Sequence, residues 1–381
     1  MPILHRSYAD RELRAARLRL LRLRDELCLI RRDHWRRKYN PNQPRVPSGN
    51  AGGGQWTSGA GGGGGSVGGA GGGDPLSPDG SSLGADTDWS SFGEGWSEDG
   101  SIFEQTVTDG EGTTIRSEYA ASRAVSFDER QTVIQPDGKT TSFETTGNVQ
   151  SIYAGGPDGD LVARTIWTSS GPEPDATVQP AYADKVLPMI IGGGVALFNW
   201  QSQLNGNDGQ QAVMGFNARD YRPGFSTSGA LGLLYAGSVT EEQAELACRR
   251  LPDVQALADR AANAAGSPDL YPSRAVYGTS VHTGFAKFVK DFHDGNFDAE
   301  RSYIKERVEG SGGGDVPYGY PGSIRVDAYE YRRQDGTLCV YDLKTGLANL
   351  PDRRAEIIAN AAAMGFKPVL RVIVIAVRPK G

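Results

Sequence analysis

Residues 51–73 are almost entirely Gly, Ala and Ser. A segment of that composition cannot bury enough apolar surface to offset the entropy of ordering it, so it reads as flexible coil. The Pro-then-Gly stretch NPNQPRVPSGNAGGGQW at 40–56 extends the coil upstream, and the linker is expected over residues 47–95. The 381-residue chain is thereby cut in two. A short segment precedes the linker, and anything able to build a core follows it.

The short segment, residues 1–46, carries 13 Lys/Arg against 5 Asp/Glu. Within 7–38, Leu13, Leu20 and Leu27 recur every seven residues, and Ala16, Leu23 and Ile30 fill the second heptad position. This pattern predicts a basic heptad helix able to self-associate or dock on a partner, with Arg-rich faces suited to nucleic acid or anionic lipid. A solvated adaptor helix is the plainer alternative. The net charge of −6 hides a gradient, since residues 271–381 carry 16 Lys/Arg against 13 Asp/Glu. The ends suit an anionic partner and the acidic middle does not.

No membrane span is expected, because the longest apolar run, 186–200, is short and holds a Pro and three glycines. The Arg-studded N-terminal segment does not read as a secretory signal peptide. The expectation is a cytoplasmic protein, or a bacterial effector exported by another route. Cys28, Cys248 and Cys339 lie far apart and fit neither a metal-ligand spacing nor a small disulfide framework, so they read as reduced thiols.

Over 96–175, strand-like runs alternate with Asp-Gly pairs at 99–100, 109–110, 137–138 and 158–159. This predicts an antiparallel β-meander, read as a plain spacer. The Gly-rich loop at 155–160 lacks the Lys-Ser/Thr and helix of a phosphate cradle. Residues 176–270 read as a mainly helical connector. Thr240 and Gln243 form a capping box, and Pro252 marks a break. Asn217, Arg219 and Asp220 read as surface.

The chemistry-bearing stretch is GSIRVDAYEYRRQDGTLCVYDLKTG, 322–346. Two strand-like runs, 324–332 and 338–343, flank Asp335-Gly336, a two-residue hairpin signal. With that turn, Asp327 lies directly across from Lys344, and strand alternation puts Asp342 on the same face. Two carboxylates and an ammonium there suit a divalent cation and an oriented water. A surface hairpin with a solvated Asp–Lys pair is the plain alternative. A helix is expected over 279–293 and a short strand over 302–308 before the hairpin. A helix over 352–364 and a buried strand over 369–377 follow it.

That order, helix, three strands, helix, strand, together with Asp327 and Asp342-Leu343-Lys344, resembles the restriction-endonuclease-like superfamily with its PD-(D/E)xK motif. Some of its members are C-terminal warheads of bacterial polymorphic toxins. The resemblance covers about residues 275–381. It implies an α+β, multi-domain chain ending in an αβββαβ nuclease-like domain at 271–381. It implies Asp327, Asp342 and Lys344 as catalytic residues, and Mg2+ or Mn2+ held by Asp327, Asp342 and the Leu343 carbonyl. It also implies a nucleic-acid substrate, DNA ahead of RNA, and an immunity protein as partner. The chain departs from the pattern in having no Glu on its first core helix. His282 and Glu306 are candidate substitute ligands, and Arg325 a candidate phosphate contact. The competing expectation is a non-catalytic structural or interaction protein of bacterial or mobile-element origin. No nucleophile elbow, CxxC or HExxH appears.

Overall fold

The computed structural model describes residues 91–122, 124–175, 186–204, 209–217, 232–304, 315–316, 323–346, 349–351, 354–355, 357–360, 365–366 and 368–380. The basic heptad helix, Glu306 and the Asn217-to-Asp220 cluster beyond Asn217 lie outside the described residues. The chain divides into two units, Met1–Ser77 and Pro78–Gly381, and everything described belongs to the second. That unit is mixed α and β, built on two sheets.

The first sheet holds eight strands: β1 (Ser91–Trp96), β2 (Ile102–Thr108), β3 (Thr114–Ala120), β4 (Glu129–Ile134), β5 (Thr140–Thr146), β6 (Val149–Ala154), β7 (Asp160–Thr168) and β8 (Gly171–Pro174). Each pairs antiparallel with its neighbours in sequence order. The turns explain why. Asp99, Asp109 and Asp137 each accept a hydrogen bond from a backbone N–H two residues on, while Gly100 and Gly138 take positive φ. Ile115, Val133, Phe143 and Ile152 form the buried face. On the other face Arg116 pairs with Glu104, and Arg130 with Glu144, across adjacent strands. The sheet begins at Ser91, inside the span expected to be linker, because β1 finds a full ladder of partners on β2.

Helix α1 (Leu187–Leu204) follows. It is apolar nearly all round because it is packed between both sheets. A Cβ on Gly193 would meet the Thr141 side chain at 2.8 Å, and one on Gly194 would meet Leu233 at 2.5 Å. The glycines thus allow close approach on two sides. No helix among the described residues is long and apolar enough to cross a membrane.

The remaining elements are β9 (Gln210–Asn217), β10 (Gly232–Thr240), α2 (Glu241–Ala247), α3 (Leu251–Ala265), α4 (Arg274–Lys290), β11 (Phe297–Ile304), β12 (Asp315–Val316), β13 (Ser323–Arg332), β14 (Thr337–Leu343), a helical segment within 354–360, and β15 (Arg371–Val377). The capping box at Thr240 is present and opens α2, and the chain breaks ahead of Pro252 to start α3. Residues 210–217 and 232–240, read as part of a helical connector, are strands. Short apolar runs such as AVMGF carry no periodicity that separates the two.

The second sheet runs β10-β9-β15-β14-β13-β11-β12, with β14 and β15 parallel and the other pairs antiparallel. Helices α2, α3 and α4 cover one face; α1, the 354–360 segment and the first sheet cover the other. Covered on both faces, β14 and β15 are buried along their whole length, which accounts for their nearly continuous apolar sequence.

Side chains stitch the two sheets together. The buried Gln150 amide on β6 accepts from the Ala236 N–H and donates to the Ala236 carbonyl, both at 3.0 Å, satisfying the outer edge of β10. Arg371 at the start of β15 donates to the Ser170 carbonyl at 3.0 Å and pairs with Glu173 at 3.1 Å. Asn199 on α1 clamps Leu350 in the same double fashion, at 2.8 Å each way.

Two further expectations are corrected. Cys248 and Cys339, read as reduced thiols, form a disulfide between the α2–α3 junction and β14. Their 91-residue separation hid the pairing, which depends on Cα atoms brought to 5.9 Å by the fold. The β13–β14 register pairs Arg332 with Thr337, so the turn spans residues 333–336 rather than Asp335-Gly336 alone. Continued past its last pair, Ala328 with Tyr341, that register leads Asp327 toward Asp342 and not Lys344.

Candidate functional site

The site forms where β13 and β14 part. Their last backbone pair is Ala328 with Tyr341. Beyond it the Asp327 carboxylate replaces a backbone acceptor, and the Leu343 N–H donates to it at 2.8 Å. On the next strand out, Glu300 is the residue facing Asp327 in the β11–β13 register.

Both strands change face at this pair. On β11, Phe297 and Ala299 pack with the α2–α4 core, whereas Tyr303 packs in the other core. On β13, Ala328 belongs to the first of these cores, and Ile324 and Val326 to the second. No residue is inserted, because Ala299 still pairs with Ala328 and Arg301 with Val326. The switch occurs at Glu300, whose φ of 61° is uncommon for a residue with a side chain and costs about 1–3 kcal/mol. It brings Glu300 and Asp327 toward α4, where His282 waits.

His282 Nδ1 lies 3.3 Å from Asp327 Oδ1. Ligand atoms of His282, Glu300 and Asp327 all lie within 4.8 Å of one another. Each carboxylate of the site has its own cation: Asp327 has His282, Glu300 has Arg325 at 2.6 Å, and Asp342 has Lys344 at 2.9 Å. The Asp342–Lys344 pair is buried, with side chains 7% and 10% exposed, which disfavours the plain alternative of a solvated surface pair. The alignment of that pair is that of an ionic contact, and Asp342 Oδ2 is buried without a hydrogen bond.

The electrostatics follow from these partners. Burial opposes ionisation of Asp327, but His282, Arg354 and the Leu343 N–H outweigh it and hold the carboxyl down at about 2. Burial also works against a charged His282, yet Asp327 foremost, then Asp342 and Glu300, raise it above its ordinary value. Burial raises the Glu300 carboxyl; Arg325 and His282 pull it back while Asp327 adds to the rise.

The surroundings fix these groups. Ser273 caps α4, and a Cβ on Gly278 would meet the Thr345 hydroxyl at 2.8 Å, so α4 can lie against the residues that follow Lys344. The Lys344 N–H donates to the Val377 carbonyl at 2.8 Å. Arg378, just past β15, donates to the Gly346 carbonyl and to the Ser202 carbonyl on α1. A groove of about 580 Å3 lies elsewhere, between α2 and the 333–336 turn, lined by Glu245, Arg249, Arg332 and Asp335 among others, and shares no residue with this site.

Of the sequence candidates, Asp342 is brought onto Lys344 and Asp327 onto His282, with both carboxylates acting on that histidine. Asp327 and Lys344 do not face each other. Arg325 is engaged with Glu300. Glu300 itself was missed: the strand was expected at 302–308, whereas β11 spans Phe297–Ile304. The pattern FDAE, acid on alternate positions, was its only trace.

The residue set fits a divalent cation, since carboxylate oxygens are hard donors and His282, Glu300 and Asp327 bring ligand atoms within 4.8 Å of one another. No protein-family model, curated protein or solved structure matches the chain.

Proposed function

We propose that this protein hydrolyses phosphodiester bonds of nucleic acid, with Asp327, Asp342 and Lys344 at the reacting centre. The observation that carries the reading is that Asp327 and Asp342 lie just past Ala328–Tyr341, the last backbone pair of β13 and β14, with Lys344 at 2.9 Å from Asp342. The arrangement of α4, β11, β13, β14, the 354–360 segment and β15, with β14 parallel to β15, supports a nuclease-like αβββαβ core.

Asp327 and Asp342 would hold Mg2+ or Mn2+, with the Leu343 carbonyl as a further ligand. A bound cation of this kind polarises the scissile phosphate and lowers the pKa of its water. Lys344, held at the centre by Asp342, is placed to orient that water or to offset charge developing on phosphate oxygens. Arg325, one-third exposed, offers a phosphate contact at the rim. DNA stands ahead of RNA as substrate. A bacterial effector paired with an immunity protein is the setting we propose. The Cys248–Cys339 bridge supports export, since such bridges persist in oxidising compartments.

The test is cleavage of plasmid DNA and of single-stranded RNA by the full chain, with Mg2+, with Mn2+ and with chelator. Metal-dependent cutting that Asp342→Asn removes is the expected result. A second reading, a non-catalytic structural or interaction protein, is favoured by one observation. Every charge of the site already has a partner within the protein, as in a buried structural network. Absence of cutting under every condition would select it.

A further inference from the structure

We propose that Arg378 is a positioning residue for the hydrolysis, acting through Lys344 and not on the substrate. The inference rests on the nuclease reading, since it concerns how the ammonium of that centre is aimed. Lys344 is the first residue past β14. Its N–H donates to the Val377 carbonyl at 2.8 Å, just beyond Leu343–Val377, the last pair of the β14–β15 ladder. Thr345 and Gly346 then bend and lie outside any strand. An ammonium carried at the end of a strand keeps one direction only if the chain beyond it is held. Arg378 holds it. The guanidinium donates to the Gly346 carbonyl on one side and, from Nε, to the Ser202 carbonyl at 2.7 Å on the other. Ser202 stands in the last turn of α1, where carbonyls lack intrahelical partners and where α1 has no basic residue of its own. A planar guanidinium arriving from the end of β15 meets both needs at once. The same helix clamps Leu350 through Asn199, so the segment after Lys344 is fastened to α1 at Gly346 and again at Leu350.

Asp342 adds an electrostatic reason. Burial lowers the Arg378 guanidinium to about 10, and Asp342 acts against that fall. The Asp342 carboxylate therefore faces two cations, Lys344 at 2.9 Å and Arg378 behind it. When Lys344 turns from Asp342 toward a phosphate oxygen, Arg378 remains as a countercharge. The buried carboxylate is then not left uncompensated, a state that is strongly unfavourable in a protein interior.

The experiment uses the full chain and two readouts: cleavage of nucleic acid resolved into kcat and KM, and hydrogen exchange of the Lys344 amide. Arg378→Gln should lower kcat by about tenfold or more while KM stays within about twofold, the pattern of a misaimed group and not of lost binding. Its Lys344 amide should exchange about tenfold or more faster than in the wild type. Gln150→Ala is the control, because it weakens the seam between the sheets without touching this segment. It should lower the melting temperature and keep kcat, so loss of stability alone does not imitate the effect. Arg378→Lys keeps the charge but cannot span Gly346 and Ser202 as a fork. It should lower kcat in the same way, and it reads the role where Arg378→Gln fails to fold. Unchanged kcat or an unchanged Lys344 amide in a folded Arg378 variant, or an equal fall in kcat in Gln150→Ala, overturns the inference and leaves the nuclease reading standing. A wild type that cuts no nucleic acid overturns both.

Discussion

The two sheets of this protein solve different problems. In the eight-stranded sheet every strand pairs with its neighbours in sequence, and Asp and Gly turns set each hairpin locally. In the seven-stranded sheet β15 lies between β9 and β14, so pairing joins residues more than 150 positions apart. The first sheet carries surface charge pairs and one buried face. The second buries charged groups at the point where two of its strands separate. The candidate chemistry sits at that parting.

The largest expected difference between the sheets is functional. Under the nuclease reading, Asp342→Asn and Lys344→Ala should each lower cleavage by about 10²-fold or more. Replacing Arg116 or Glu104 on the outer face of the first sheet should leave the rate unchanged. Because the Asp342–Lys344 pair is buried, Lys344→Ala should also destabilise the fold by about 3 kcal/mol, read as a lower melting temperature. Equal loss of activity from the outer-face variants would erase the distinction.

Next in size is the seam between the sheets. Gln150→Ala strands both the N–H and the carbonyl of Ala236 in a buried place, a loss of about 4 kcal/mol. If the sheets are one cooperative unit, calorimetry should give a single transition at lower temperature. Two separate transitions in the wild type would show that the stitches do not couple them.

Reduction of Cys248–Cys339 acts on the second sheet alone. It should cost about 3 kcal/mol, the middle of the range typical for a native bridge, seen by melting with and without reductant. An unchanged melt would mean that the bridge does not form in solution.

The smallest effect is the pH dependence at His282. Its pKa is raised in the folded protein, so the pairing with Asp327 stabilises fully below the ordinary value of 6.5 and is lost as pH rises through the folded value. Wild type should therefore exceed His282→Asn by about 1 kcal/mol at acidic pH, with the gap closing as pH rises beyond 6.5. A gap that widens with pH would reverse the assignment. Asp327, depressed to about 2, adds the opposite limb: its contribution is present above 3.8 and is lost as pH falls through about 2.

Legibility differed between the sheets in the same way as their construction. The meander was readable because each Asp-Gly turn acts within a few residues. The two strands of the 322–346 hairpin were readable for the same reason, but a four-residue turn moved the register by two and exchanged Lys344 for Asp342 as the partner of Asp327. The capping box at Thr240 is local and was legible. Glu300 was not, because its role depends on a positive φ and on a helix that sequence spacing does not place against it. Cys248 with Cys339, and β9 with β15, depend on contacts across the whole unit.

The position of β15 has a consequence for how the protein is made. It follows every other strand of its sheet along the chain, yet it occupies the interior between β9 and β14. During synthesis from the N-terminus, β10-β9 and β14-β13-β11-β12 must wait as two open-edged pieces until residues 371–377 leave the ribosome. The Lys344 N–H has no Val377 carbonyl to meet before then. A nascent chain therefore carries Asp327, Asp342 and Lys344 before it can assemble the centre, which stays open until β15 inserts.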